Sequence, residues 1–282
     1  MAWAFRIGLV ALAGAICPVA AWSATTSIGA ARDNTIYASG VNNSAGGAAG
    51  IFSGTNGQGS ARRGLLAFDV AGELPSGATV TSAALELYLA GSAGNANANI
   101  GLHRLNADWG EGTAGSSNPA VSGGGNGFAA AEGDATWNAR FHSTTSPTPW
   151  STAGATGDFD PVASASAMVG GTGAIDTESI WLSTPGLVAD VQSWLHNPAT
   201  NFGWALVNAD ETSSQTVRVF YSSEATLNAA SGPLNPEWRP RLVVEYVVPE
   251  PASALLALLA WFAVGLAPGR FRARRRLGNA PA

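Results

Sequence analysis

The sequence predicts an all-β fold, a two-sheet antiparallel jelly-roll sandwich with one short packed helix. Three observations carry this expectation. Apolar residues recur at every second position in several short runs, which is the period of a strand with one buried face. Turns rich in Gly, Asn, Pro and Ser separate about eight such runs, the punctuation of a sandwich rather than of βαβ units. Only one soluble stretch shows helical periodicity with start and stop signals.

The alternation is clearest at Leu85, Leu87 and Leu89, with Glu86 and Tyr88 on the other face. Val217, Val219 and Tyr221 alternate with Arg218 and Phe220, and Leu242, Val244 and Tyr246 alternate with Val243, Glu245 and Val247. Further strands are expected at residues 34–38, 64–70, 99–107, 179–183 and 202–208. The helix begins at Ser183-Thr184-Pro185, where a hydroxyl caps free amides and proline suits the first helical position. Leu187, Val188, Val191, Trp194 and Leu195 then share one stripe, and Pro198 ends it. That stripe is expected to plug one end of the sandwich core. Residues 110–173 hold few apolar side chains and many glycines, with short strands expected near 135–137 and 162–169. An interval of that length is expected to be functional or partly disordered.

The ends of the chain read as addresses. Residues 1–24 combine Arg6, an apolar run and small residues at Val19 and Ala21, the layout of a secretory signal cleaved after Ala21 or two or three residues later. The single cysteine, Cys17, leaves with it, so the exported domain, residues 25–247, has no disulfide and no thiol chemistry. At the other end Pro249-Glu250-Pro251 precedes an apolar helix expected over residues 252–269. Its uncharged part, residues 252–267, spans ~24 Å as a helix against a hydrocarbon core of ~30 Å. Arg270, Arg272, Arg274, Arg275 and Arg276 follow and hold that end in the cytoplasm, leaving the bulk of the chain outside the inner membrane.

All 14 basic residues are arginine, and residues 25–248 carry 8 of them against 18 acids, a net of −10. A surface of that sign repels nucleic acid and anionic lipid, which excludes the usual basic nucleic-acid binder.

Two resemblances follow from these residues. Val248-Pro249-Glu250-Pro251, the apolar helix and the arginine-rich end resemble the PEP-CTERM sorting signal of Gram-negative bacteria that make exopolysaccharide, over residues 248–277. That resemblance implies recognition by an exosortase-type membrane peptidase, removal of a transient anchor and release to the cell surface or extracellular matrix. The middle of the chain is similar to the DNRLRE domain, a jelly-roll family of secreted and surface proteins with some carbohydrate-binding members. The similarity rests on Asp33-Asn34-Thr35-Ile36-Tyr37, Arg63-Gly64-Leu65-Leu66-Ala67-Phe68-Asp69 and Leu102-His103-Arg104-Leu105. It continues through Asp108-Trp109-Gly110-Glu111-Gly112, Gly133-Asp134-Ala135-Thr136-Trp137 and Arg239-Pro240-Arg241-Leu242. The six-letter signature itself is absent, since Thr35-Ile36-Tyr37 follows Asp33-Asn34.

Candidate site residues are few. Asp33, Asp69, Asp108, Glu111, Asp134, Asp158 and Asp160 stand near strand ends or glycine turns, where they either cap the turns or offer hard oxygens to a structural Ca2+. Asp108, Glu111 and Asp134 form the preferred calcium set. His103, His142 and His196 fall at no metal-ligand spacing, and no serine sits in a nucleophile-elbow motif. Trp109, Trp137 and Trp150 lie in turn-rich segments, where a ring either stacks on a sugar or covers the sandwich edge. Trp181, Trp194 and Trp204 are expected in the core. The function expected is that of a non-enzymatic surface or exopolysaccharide-matrix protein, structural or adhesive. The alternatives are a module binding matrix polysaccharide and a polysaccharide-degrading enzyme, the latter needing two carboxylates in one cleft.

Overall fold

The computed structural model describes residues 21–121 and 125–249. The bulk of the expected leader, Glu250, Pro251, the helix expected over 252–269 and the terminal arginines lie outside the described residues. Among the described residues no helix is long and apolar enough to cross a membrane.

The chain forms β1 (Ala21–Tyr37), β2 (Asn43–Ser44), β3 (Gly50–Thr55), β4 (Ala61–Phe68), α1 (Val70–Glu73), β5 (Thr79–Ser92) and β6 (Ala98–Arg104). There follow β7 (Phe128–Ala129), β8 (Ala139–Phe141), β9 (Thr148–Pro149), β10 (Ala165–Val169), β11 (Glu178–Trp181), α2 (Pro185–His196), β12 (Trp204–Asn208), β13 (Arg218–Tyr221) and β14 (Arg241–Pro249). Strand pairs of defined register are antiparallel. The fold is all-β and sandwich-like, as the alternation indicates.

Hydrogen bonding follows the order β1-β14-β5-β13-β3-β4-β12-β6-β10, with β11 on the free side of β5. β1 also pairs with β4 through residues 30–37, so the path folds back on itself. The register shift between Ala30 and Arg32 is the bend that lets one strand serve both layers. Between the layers lies one apolar core. Leu85, Leu87 and Leu89 of β5 and Leu242 and Val244 of β14 meet Leu66 and Phe68 of β4 and Trp204 and Leu206 of β12 there. Each such fully buried leucine stabilises the fold by about 1.5–3 kcal/mol.

Helix α2 forms as its sequence dictates. Thr184 Oγ1 accepts the N–H of Leu187, Pro185 fills the first position, and Leu187, Val191, Trp194 and Leu195 join the inner core. The buried Asp190 then ties the helix to its neighbours by accepting from Trp204 Nε1 at 2.8 Å and Ser164 Oγ at 2.5 Å, with Arg104 at 3.3 Å.

Several expectations are corrected. Val70 is not in a strand: Asp69 accepts the N–H of Gly72 and starts α1 there. Residues 105–107 lie beyond the end of β6, and 135–137 form a turn in which Thr136 N–H donates to the Ala139 carbonyl. β1 is far longer than residues 34–38, and β3 was not anticipated. Both consist largely of Gly, Ala, Ser and Thr, which leave no hydrophobic alternation to read.

Within the 110–173 interval, residues 165–169 form β10 and join the sheet, and the described residues ahead of them supply a cover. On β4 the side chains of Leu66 and Phe68 enter the inner core, while Leu65 and Ala67 point to the outer face. On β12 Ala205 and Val207 do the same. This outer face is roofed by Trp109, Ala135, Trp150 and Ala155, all from the segment between β6 and β10. The sheet is therefore buried on both faces, which explains why Leu65-Leu66-Ala67-Phe68 and Trp204-Ala205-Leu206-Val207 are unbroken apolar runs.

Candidate functional site

The residues singled out in the sequence do converge, at the end of β1 beneath the covering segment. Asn34 is the hub. Its Nδ2 donates to the Glu111 carbonyl and to Ser44 Oγ, at 2.8 and 2.9 Å, and its Oδ1 accepts the N–H of Ala45 at 2.9 Å. One buried amide thus holds two loops to the strand. The loops approach so closely that glycine is required. Gly112 has φ of +76°, and a Cβ there would lie 1.4 Å from Asp134 Oδ1.

The two flanking tryptophans are struts. Trp109 is 0% exposed and donates its indole N–H to the Phe202 carbonyl at 2.8 Å. Trp150 is 4% exposed and donates to the Thr136 carbonyl at 2.8 Å. With ring covered and donor used, each is placed as the edge-covering alternative of the two roles expected for it requires. The physical reason is the apolar outer face of β4 and β12, which needs large rings to exclude water. Trp137 is only partly buried, with the Arg63 guanidinium 5.1 Å from its ring centroid. Arg63 reaches it while bound bidentately by Glu211, at 2.8 and 2.6 Å. Trp181, Trp194 and Trp204 are core, as expected.

The three carboxylates preferred for calcium are separated by their tasks. Asp108 pairs with Arg32 at 2.7 Å, and Arg32 also donates to the Trp109 carbonyl while lying over its ring. Asp134 is buried and accepts the N–H groups of Thr113 and Ala131, at 3.0 and 2.8 Å. Glu111 accepts the N–H of Asp33 at 2.8 Å, and burial raises its pKa above the ordinary value. Asp69, Asp158 and Asp160 likewise accept from nearby backbone or side-chain donors. Among the described residues no group of three His, Cys, Asp or Glu side chains is arranged to hold a metal ion. His103 Nδ1 contacts the Asp160 carbonyl, and His196 Nε2 contacts Gln192 in the last turn of α2.

Two groups escaped the sequence reading. The first is Ser223-Glu224, just after β13, where Ser223 donates N–H and Oγ–H to Asp33 Oδ2, at 2.8 and 2.7 Å. An acid directly after an alternating strand was the available signal. The second is a groove of about 460 Å³ of mixed lining, where Asn42, Asn138, His142, Ser143 and Thr144 stand beside Ala139, Pro147 and Pro149. Nothing in the spacing of those residues announces it, because the β8–β9 hairpin brings them together. In comparisons with known proteins, no family model matches the chain and no curated protein matches it.

Proposed function

We propose that this is an exported, non-enzymatic jelly-roll protein with a structural or adhesive role on the cell surface or in an exopolysaccharide matrix. The observation that carries the reading is the fate of the candidate site. Trp109 and Trp150 are buried with their donors satisfied, and Asp108 and Asp134 are occupied by Arg32 and by backbone amides. Residues that would mark a sugar site or catalytic cleft are spent on fastening the covering segment. Asp33, the carboxylate most perturbed by burial, is 0% exposed and has no access to a substrate. The resemblance of the middle segment to the DNRLRE domain supports the jelly-roll topology. The PEP-CTERM-like tail supports handling by an exosortase-type peptidase.

The test is to follow the protein in its host by mass and fractionation. The expected product has lost the leader near Ala21 and the tail near Pro249-Glu250-Pro251, and is recovered from the surface or matrix fraction. Full-length protein retained in the inner membrane, or in the cytoplasm, would overturn the reading.

A second reading, a module that binds matrix polysaccharide, is favoured by the groove beside the β8–β9 hairpin. Its amide, imidazole and hydroxyl groups suit sugar hydroxyls, and the partly buried Trp137 adjoins Asn138 in the chain.

A further inference from the structure

Asp33 holds a carboxylate oxygen that the fold does not serve. Its Oδ2 takes both donors of Ser223, whereas Oδ1 is fully buried and has no hydrogen-bond partner. An unpaired buried carboxylate oxygen is costly, and such groups call for a ligand or a proton.

The donor count around Ser223 points the same way. Ser223 Oγ lies 2.7 Å from Asp33 Oδ2 and 2.7 Å from Glu224 Oε1. A hydroxyl has one hydrogen, so it can serve only one of these two oxygens, and the other contact brings lone pairs together. Glu111 adds a third carboxylate, fixed beside Asp33 by the 2.8 Å bond from the Asp33 N–H. The charged groups acting unfavourably on Asp33 are acidic, Glu224 and then Glu111. The neighbouring Arg32 is engaged by Asp108 and the Trp109 carbonyl.

We propose that Asp33, Glu111 and Glu224 bind one calcium ion, with Asp33 Oδ1 as the inner ligand. The donors are hard oxygens with no histidine or cysteine, which selects calcium over zinc. As they stand the side chains do not yet surround a common point. The exposed Glu224 has the freedom to turn inward and complete the set. The ion would join β1, the covering segment and the turn after β13, three parts of the chain with no disulfide between them. The site shares only Glu111 with the calcium set preferred from sequence and takes Asp33 from the wider group of acids named there, and it does not depend on the proposed export or matrix role.

The experiment is calorimetric titration of the full-length purified chain with calcium chloride at neutral pH, paired with thermal melting in calcium and in EDTA. The expected result is one saturable site and a melting temperature raised by about 5–10 °C at calcium a hundredfold above Kd. Magnesium is expected to bind far more weakly. Glu224→Gln, at an exposed side chain, is expected to weaken calcium at least tenfold while melting like the parent in EDTA. Asp33→Asn is expected to abolish uptake. No saturable calcium uptake by the parent, or undiminished uptake by Glu224→Gln and Asp33→Asn, overturns the proposal. A higher melting temperature of Asp33→Asn in EDTA without parental uptake would show a proton in place of the ion.

Discussion

Trp150 illustrates how a turn residue becomes a core residue. Its neighbours in sequence, Pro149 and Ser151, give no sign of burial, and the partner surface comes from strands far away in the chain. Trp150→Ala is therefore expected to cost about 3–5 kcal/mol, the range for emptying a large aromatic site, as read by urea denaturation. A change within about 0.5 kcal/mol would show that the ring is not packed as described. A second expectation concerns acid. Asp210 accepts from the N–H and Oγ of Thr212 and the N–H of Ser213, and these bonds hold its pKa below the ordinary value. A depressed folded-state pKa means its contribution is fully present above the unfolded value near 4 and is lost as pH falls through the folded value. Asp210→Asn should accordingly flatten the dependence of melting temperature on pH below about 4. An unchanged slope would place the acid sensitivity elsewhere.

At the scale of elements, the strands with one solvent-facing side were the legible ones. Glu86 and Tyr88 mark the outer face of β5 because that face stays partly open, where Glu86 meets Arg241 and Tyr88 stacks on Trp238. β4 and β12 lack such markers, since both their faces are covered. This makes a sharp prediction: Leu65→Ala on the outer face and Leu66→Ala on the inner face should each cost about 2–5 kcal/mol in chemical denaturation. A near-neutral Leu65→Ala would mean that the segment between β6 and β10 does not roof the sheet. Helix α2 was readable to the residue because capping is a local signal. Thr184→Ala should lower stability by about 1 kcal/mol through loss of the bond to the Leu187 N–H.

For the whole molecule, the order of strands is what sequence periodicity cannot supply. Alternation tells which side of β14 faces inward; it does not tell that β14 lies between β1 and β5. The candidate site was legible as a set of residues and not as a role. Asp33, Asn34, Trp109, Glu111 and Asp134 do gather in space, yet Asn34 and Asp134 spend their polar atoms on backbone partners and so build the fold. The central claim is that Trp109 and Trp150 are internal struts rather than sugar platforms. Its most direct test is glycan-array screening with calorimetric titration of the full-length chain and of its Trp109→Ala and Trp150→Ala variants. The account predicts that both variants lose stability and that neither loses any glycan binding beyond what unfolding removes. Saturable glycan binding by the parent, abolished in either variant while its fold and melting temperature persist, would contradict it.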